Sequence, residues 1–242
     1  LGMKGTTYEY AEIPKEKFAV GYRYIYEKWR KETPLHDGIY GSMGGMITSI
    51  DQFGKYVAMH VGAWPERNDK EGYPVKRSSI REMHDPARFI TLNPNFQLPN
   101  GKQITMTSSY AYGLNWMRDT RGVVSIGHSG GLPGYGSNWR FLPEYGIGVI
   151  FFGNVTYAPT SVMNVQVIDT LITLAKLKPR LVGVSPILKK RQLELIKIIE
   201  TWNQPPAVFA ENFFDDYPLD LLIKQSNEVF GTAGKIISTD TM

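Results

Sequence analysis

The residues of this chain that could do chemistry together are His128 and the three small residues after it, Ser129, Gly130 and Gly131. A histidine can gain or lose a proton near neutral pH, and a serine hydroxyl can donate or accept a hydrogen bond. Glycines let a ligand approach the backbone closely. Four glycines between positions 127 and 134 favour a binding or catalytic role over the plainer alternative, which is a tight bend around a histidine.

Metal and cofactor sites are not indicated elsewhere in the sequence. The other histidines, His36, His60 and His84, are not spaced like metal ligands, and we expect them at the surface or in loops. The glycines form neither a phosphate-binding loop nor a dinucleotide-binding fingerprint. The sequence therefore predicts no metal and no cofactor.

The run from Gly127 to Gly131 invites comparison with the nucleophile elbow, in which a serine lies at a strand-to-helix turn. We expect no such turn here, because extended sequence follows the histidine. Ser129 is therefore interpreted as a hydrogen-bond donor to a ligand and not as a nucleophile.

Three apolar runs predict the strands that position His128: residues 123–128, 137–142 and 147–152. The first run places His128 at the exit of a strand, and a glycine-broken loop at residues 132–136 follows it. Because the lengths match and the connections are hairpin-sized, the runs predict an antiparallel meander.

Two helices are predicted, one before this sheet and one after it. Ser49 and Gln52 fit a capping box at the start of the first helix. Pro159 suits the first turn of the second helix, which should run to about residue 176. Its apolar stripe should cover one face of the sheet through Val162, Val165, Ile168, Ile172 and Ala175.

The remaining sequence is less patterned. Residues 64–100 are polar and contain five prolines, so we expect a connecting region with one short helix at residues 78–84. Residues 104–116 are strand-like. After a linker near residue 181, helices are expected at residues 188–202 and 219–230, and a strand could begin at residues 235–237.

The composition narrows the classes of protein that this chain could be. Hydrophobic residues make up 42% of its 242 residues, which is enough for a packed core. The net charge is +4, but the basic residues are scattered, so a nucleic-acid partner is not expected. No cysteine is present to form a disulfide, and no apolar run is long enough to span a bilayer.

The run from His128 to Gly131, the meander and the helix after Pro159 resemble the third motif and C-terminal part of serine β-lactamase-like hydrolases. This superfamily contains class C β-lactamases, penicillin-binding proteins, D-aminopeptidases and esterases. Further segments fit the same family in the same order: Leu-Gly-Met-Lys-Gly-Thr at residues 1–6, Gly-Gly-Met-Ile-Thr-Ser-Ile-Asp at 44–51 and Tyr-Gly-Leu-Asn-Trp at 112–116.

The resemblance implies an α+β fold that is part of the β-lactamase/transpeptidase-like fold. It would comprise an antiparallel sheet with a packed C-terminal helix and part of an all-α lobe. Residues 1–180 would form the C-terminal part of the catalytic domain. Residues 181–242 would form a linker and the start of an appended helical segment.

The resemblance also implies roles for the four residues named first. His128 would take the cationic or hydrogen-bonding role of the family's lysine, and Ser129 would hydrogen-bond the substrate. Gly130 would leave room for the substrate backbone, and the N–H of Gly131 would be one donor of the oxyanion hole. In this family, histidine in place of lysine leans toward esterases and peptidases.

The sequence departs from the family in one respect. The family's nucleophile lies in Ser-x-x-Lys and its second motif is Tyr-x-Asn or Ser-x-Asn, and neither occurs in this chain. In the family both motifs precede the segment that resembles residues 1–6. The simplest interpretation is that this chain is the C-terminal part of a serine hydrolase, and that it is inactive alone. The alternative is a non-catalytic peptide- or peptidoglycan-binding module.

The partners follow from the same interpretation. A small-molecule or peptide substrate is expected at the site. The strand at residues 147–152 should be an exposed sheet edge, where the missing N-terminal half of the protein or another chain would pair. A periplasmic or secreted location would fit the family.

Overall fold

The computed structural model describes residues 1–35, 38–67, 69–180, 183–203 and 208–239. The chain divides into two compact units, Leu1–Arg180 and Leu181–Met242. In the described ranges no helix is both long and apolar enough to cross a membrane.

The larger unit starts with short 3-10 turns, a hairpin and three helices before its main sheet. The turns are Tyr10–Glu12, Lys15–Lys17 and Gly38–Tyr40. The hairpin and helices are β1 (Tyr22–Ile25), β2 (Lys28–Lys31), α1 (Gly41–Gly44), α2 (Ile50–Gly62) and α3 (Arg77–Glu82). The sheet and the helix after it are β3 (Arg88–Gln97), β4 (Gln103–Tyr110), β5 (Asn115–Asp119), β6 (Val124–Leu132), β7 (Tyr135–Leu142), β8 (Ile147–Gly153) and α4 (Thr160–Thr173).

The main sheet is antiparallel, and its six described strands lie in the order of the chain, from β3 to β8. The predicted meander of three adjacent strands is confirmed as β6, β7 and β8. The predicted loop at residues 132–136 is wrong, because Leu132 already pairs with Tyr135 across a two-residue turn. Gly134 adopts φ +89° in that turn, which favours glycine. His128 therefore lies inside β6 and not at its exit.

Strand β3 is an element that the sequence analysis missed. Its side chains are exposed at nine of ten positions, so the alternation of apolar and polar residues that marks a half-buried strand is absent. Its pairing with β4 is irregular between Asn93 and Phe96, around Pro94, which has no N–H for the ladder. The region expected to be only a connection thus adds an edge strand.

Helix α2 covers one face of the sheet and begins as predicted. The Ser49 hydroxyl accepts a hydrogen bond from the backbone N–H of Gln52 at 3.3 Å, which caps the helix. Phe53 and Val57 are buried against the sheet in a cluster with Ala111, Leu114, Ile126, Trp139 and Phe141.

Helix α4 covers the opposite face, as predicted, since alternate residues of β7 point to opposite sides. Ile168 is buried with Val123 and Leu142, and Ile172 packs against the same cluster. Val165 packs against a second cluster, formed by Leu98, Ile104 and Met106. The predicted stripe is wrong for Val162, which is 60% exposed, and for Ala175, which is exposed and lies beyond the end of the helix. The helix ends at Thr173, three residues before the predicted end.

Beneath α4 lies a layer of buried polar residues. The side-chain amide of Asn164 donates to the carbonyl oxygen of Asn138 at 2.9 Å and to its Oδ1 at 2.8 Å. Arg121 joins Asp119 and Asp169, with 2.8 Å contacts to both carboxylates. Helix α4 is therefore held to the sheet by directional bonds as well as by apolar packing.

Replacing Asn164 with alanine should lower the free energy of unfolding by about 1–3 kcal/mol, because it leaves buried acceptors of Asn138 without a donor. Alanine is a better helix former than asparagine, so helix propensity cannot account for a loss. Urea unfolding would measure it. The control is Gln166→Ala, which removes an exposed amide from the same helix and should change the value by less than about 0.5 kcal/mol. Equal effects of both substitutions would mean that the buried amide network does not stabilise α4.

The expectation that His60 lies at the surface or in a loop is wrong, because it lies inside α2 and is 0% exposed. His84 lies in the turn after α3, as expected, but it is only 2% exposed. His60 follows Phe53 by seven residues and Val57 by three, which places it on the buried face of α2. That spacing was readable in the sequence. His36 lies outside the described residues.

The two buried histidines form a hydrogen-bonded chain with Trp64. The indole N–H of Trp64 donates to Nδ1 of His84 at 3.0 Å, so the hydrogen of neutral His84 is on Nε2. Nε2 of His84 is 2.8 Å from Nδ1 of His60 and donates to it. The hydrogen of His60 is then on Nε2, which has no hydrogen-bond partner among the described residues.

Both histidines are held neutral by this environment. Burial lowers the pKa of His60 to about 4. Burial, followed by the charges of His60 and Arg81, lowers the pKa of His84 to about 3. The unfolded chain, with histidine pKa values near 6.5, therefore binds protons first as the pH falls.

Stability contributed by this pair should be fully present above about pH 6.5 and lost as the pH falls, through about 4 for His60 and about 3 for His84. Each histidine protonated only in the unfolded chain contributes a slope of about 1.4 kcal/mol per pH unit. In His60→Gln, one of these two protonations is absent, so the slope should be shallower. Chemical unfolding at half-unit pH steps would measure it, with pH 8 as the reference at which any packing cost of the substitution is read separately. Parallel curves for the two proteins would contradict neutral burial of His60.

The smaller unit is helical in its described residues, with α5 (Pro186–Ile199), α6 (Phe213–Asp216) and α7 (Leu219–Ala233). The indole N–H of Trp202 donates to the Ser226 hydroxyl at 2.8 Å, and that hydroxyl donates to a carbonyl at the end of α5. The predicted helices are present, although Trp202 lies beyond the end of α5. The possible strand at residues 235–237 is absent from this described segment, and Ile237 is 99% exposed, so no partner strand buries it.

Candidate functional site

Strand β6 carries the four residues that the sequence analysis placed at the site. His128 lies opposite Trp139, and Ser129 lies opposite Asn138. Because side chains alternate along a strand, His128 points to the face that α2 covers and Ser129 to the face of α4. His128 is therefore not placed to take the proton of the Ser129 hydroxyl, which supports interpreting Ser129 as a binding residue.

One edge of β6 is open beside these residues. The pairing of β5 with β6 ends where Asn115 lies opposite Gly127. From His128 to Leu132, β6 pairs only with β7 within the described part of the chain. Backbone N–H and C=O groups on its other side are therefore available to an extended ligand, as at any free strand edge.

Ser129 is oriented by the buried amides beneath α4. The amide of Asn138 donates to the Ser129 hydroxyl oxygen at 2.8 Å. Since that oxygen accepts the bond, the hydroxyl hydrogen of Ser129 remains free to be donated to a ligand. Asn138 is held in turn by Asn164. The sequence analysis missed both asparagines, although amides inside an apolar strand and an apolar helix are a readable signal.

An open groove runs along Ser129, Gly130 and Gly131. Its other wall is formed by the chain that leads from β8 into the first turn of α4, namely Tyr157, Ala158, Pro159, Thr160 and Ser161. Ser137 of β7 also lines the groove. A Cβ at Gly131 would lie 2.2 Å from the ring of Tyr157. A Cβ at Gly130 would lie 2.6 Å from the hydroxyl of Ser137. A side chain at either position would therefore force a neighbouring side chain to move.

The imidazole of His128 contacts two oxygen atoms. Its Nδ1 is 2.6 Å from the carbonyl oxygen of Ser129, and its Nε2 is 3.1 Å from the hydroxyl of Tyr110. Tyr110 was not predicted from the sequence, because it lies eighteen residues before His128 and shares no motif with it.

The arrangement offers hydroxyl groups, backbone N–H groups and one imidazole around an open strand edge. These groups can bind a carbonyl or carboxylate in an extended ligand. The described ranges contain no group of three or more histidine, aspartate or glutamate side chains placed so that they could hold a metal ion.

Comparison with known proteins places this geometry in a family. The model of the Beta-lactamase family matches residues 1–171. An octameric penicillin-binding protein homologue from Pyrococcus abyssi is similar in structure, with 23% identity and a TM-score of 0.52, over 72% of this chain and 35% of that one. A D-stereospecific amidohydrolase from Streptomyces sp. has 20% identity and a TM-score of 0.44, over 64% of this chain and 39% of that one. No curated protein matches.

The matched part spans about a third of the length of the Pyrococcus protein. That likeness supports the fold: an α+β, partial β-lactamase/transpeptidase-like arrangement of antiparallel sheet and flanking helices, as predicted. Proteins of the family are usually hydrolases. Since the family model covers residues 1–171 of 242, the chain belongs to the Beta-lactamase family.

Proposed function

We propose that this chain is the substrate-binding part of a serine hydrolase that cleaves an ester, an amide or a D-amino-acid peptide through an acyl-enzyme. The observation that carries the proposal is the open edge of β6 beside the groove. There, the backbone from His128 to Leu132 pairs with β7 on one side and has no strand partner on the other, and it lies next to a serine hydroxyl with a free hydrogen. An extended amide or ester could align along this edge as an added strand.

Each residue would have a distinct part in that reaction. The hydroxyl of Ser129 would donate to a polar group of the substrate, and His128 would stand where the family has its cationic lysine. The backbone N–H of Gly131 would donate to the oxyanion, a contribution typically worth about 3 kcal/mol in the transition state. Gly130 would leave the strand edge free of a side chain.

The nucleophile would come from polypeptide outside these residues. In this class a serine oxygen attacks the carbonyl carbon, a neighbouring base takes the serine proton, and water later hydrolyses the acyl-enzyme. This chain contains no Ser-x-x-Lys to perform the first step. The missing segment would be the N-terminal half of the same protein or another chain.

The edge of the sheet at β8 is the proposed place for that segment to pair. Among the described strands β8 pairs only with β7, through residues 147–153. Phe151 on this strand is 38% exposed. An added strand would complete the hydrogen bonds of β8 and cover this side chain.

A non-catalytic peptide- or peptidoglycan-binding module is the second candidate. It is favoured by the absence of Ser-x-x-Lys from the sequence together with the presence of an open strand edge. Such a module would bind the same extended ligand and release it unchanged.

The chain alone should form no covalent adduct with a labelled penicillin or an activated ester, because its sequence has no Ser-x-x-Lys to supply the nucleophile and its base. Intact-mass spectrometry would measure this. A longer form that supplies Ser-x-x-Lys should be acylated, and His128→Ala in that form should slow acylation by about 100-fold, the lower range for loss of a proton-transferring or charge-stabilising group.

The control for the longer form is Gln166→Ala, which removes an exposed amide of α4 outside the groove and should leave acylation close to wild type. An adduct on Ser129 of the chain alone would contradict the assigned roles. A longer form that binds such ligands but never becomes acylated by esters, D-amino-acid amides or β-lactams would establish the binding module instead.

A further inference from the structure

The two contacts of the His128 ring determine where its hydrogen lies. A carbonyl oxygen can only accept a hydrogen bond, and that of Ser129 is 2.6 Å from Nδ1. Nδ1 of His128 therefore carries a hydrogen. In the neutral ring Nε2 then has only a lone pair, so the Tyr110 hydroxyl, 3.1 Å away, is the donor of the second bond.

The position of Tyr110 follows from the way β4 and β5 end. Tyr110 is the last residue of β4, and β5 starts at Asn115, which lies opposite Gly127. His128 is one residue beyond that pairing, so β5 does not separate it from the end of β4. Ala111, buried directly after Tyr110, fixes the chain there by a backbone hydrogen bond to Leu114.

The tyrosine ring also limits the orientation of the imidazole. The two ring centroids are 6.0 Å apart and the planes meet at 75°, an edge-to-face arrangement. A hydrogen bond at each nitrogen and an aromatic ring at one side leave the imidazole a single orientation.

We propose that Tyr110 is a positioning residue, which holds His128 in the Nδ1–H tautomer and in one orientation at the edge of β6. The functional meaning rests on the proposed function, in which His128 faces the substrate. If Nε2 gains a hydrogen, the Tyr110 hydroxyl becomes the acceptor and its own hydrogen turns outward. The pair therefore stays hydrogen-bonded in both charge states of the ring, and the ring does not need to move.

The tautomer can be measured on this chain without a substrate. Long-range ¹H–¹⁵N NMR correlation of the imidazoles, recorded above pH 7, should show His128 mainly as the Nδ1–H form. His60 and His84 should both be Nε2–H forms, because Nδ1 of each accepts a hydrogen bond, from His84 and from Trp64 respectively. They serve as internal references in the same spectrum.

Tyr110→Phe removes only the hydroxyl that donates to Nε2. The Nε2–H form of His128 should then gain population, because the donor that kept a lone pair on Nε2 is gone, and the averaged Nδ1 and Nε2 resonances should move toward each other. The matched control is Tyr112→Phe, which removes an exposed hydroxyl two residues away that makes no hydrogen bond within the described residues. Its spectrum should equal that of the wild type.

A wild-type spectrum with His128 mainly in the Nε2–H form would overturn the proposal, and so would a Tyr110→Phe spectrum identical to the wild type. Either result leaves the hydrolase proposal standing, because acylation is measured separately on a longer form. Conversely, a longer form that is never acylated would leave the tautomer and the role of Tyr110 in place, with His128 then acting in ligand binding alone.

Discussion

The burial of strand β7 on both faces is the constraint on which the rest of this structure depends. Trp139 and Phe141 enter the cluster beneath α2, whereas Asn138 and Leu142 face α4. A one-residue shift in the pairing of β7 would exchange the apolar and polar sets between the two faces. Because that exchange would be unfavourable, it fixes the register of β6 against β7. The same register sets the position of His128 at the open edge.

The face of β7 toward α4 is unusual in being polar. Asn138 is joined to Asn164, and Arg140 donates to the Ser161 hydroxyl at 3.0 Å. Burial lowers the pKa of the Arg140 guanidinium, and no carboxylate forms an ion pair with it in the described ranges. Such bonds give direction where apolar contacts do not. They set the start of α4, and thus one wall of the groove, relative to Ser129.

Much of the fold was predictable because local pattern and tertiary burial agree. The alternation in residues 137–142, the capping serine at Ser49 and the apolar stripe of α4 all indicated elements that are present. Strand β3 was not predictable from periodicity, because an exposed edge strand buries neither face. The two buried histidines were misjudged from residue type, since histidine is buried less often than the apolar residues whose spacing it shares here.

The candidate site was predictable only in part for a different reason. Motif and glycine content drew attention to residues 128–131, which are consecutive in the chain. Tyr110, Asn138 and Asn164 come to them through pairing across strands and packing of a helix, and no spacing along the sequence encodes such contacts. A single sequence identifies what a strand carries more readily than what surrounds it.

The sheet also has a kinetic property that follows from its strand order. Each strand from β3 to β8 pairs with the strand next to it in the chain, so no pairing has to close a long loop. Sheets with such low contact order form faster than sheets with distant pairings, because little chain entropy is lost before each contact is gained. During synthesis, each new strand can therefore pair with the strand before it as soon as both have left the ribosome. The edge at β8 is then the last to form, whereas the other edge, at β3, exists from the first hairpin onward.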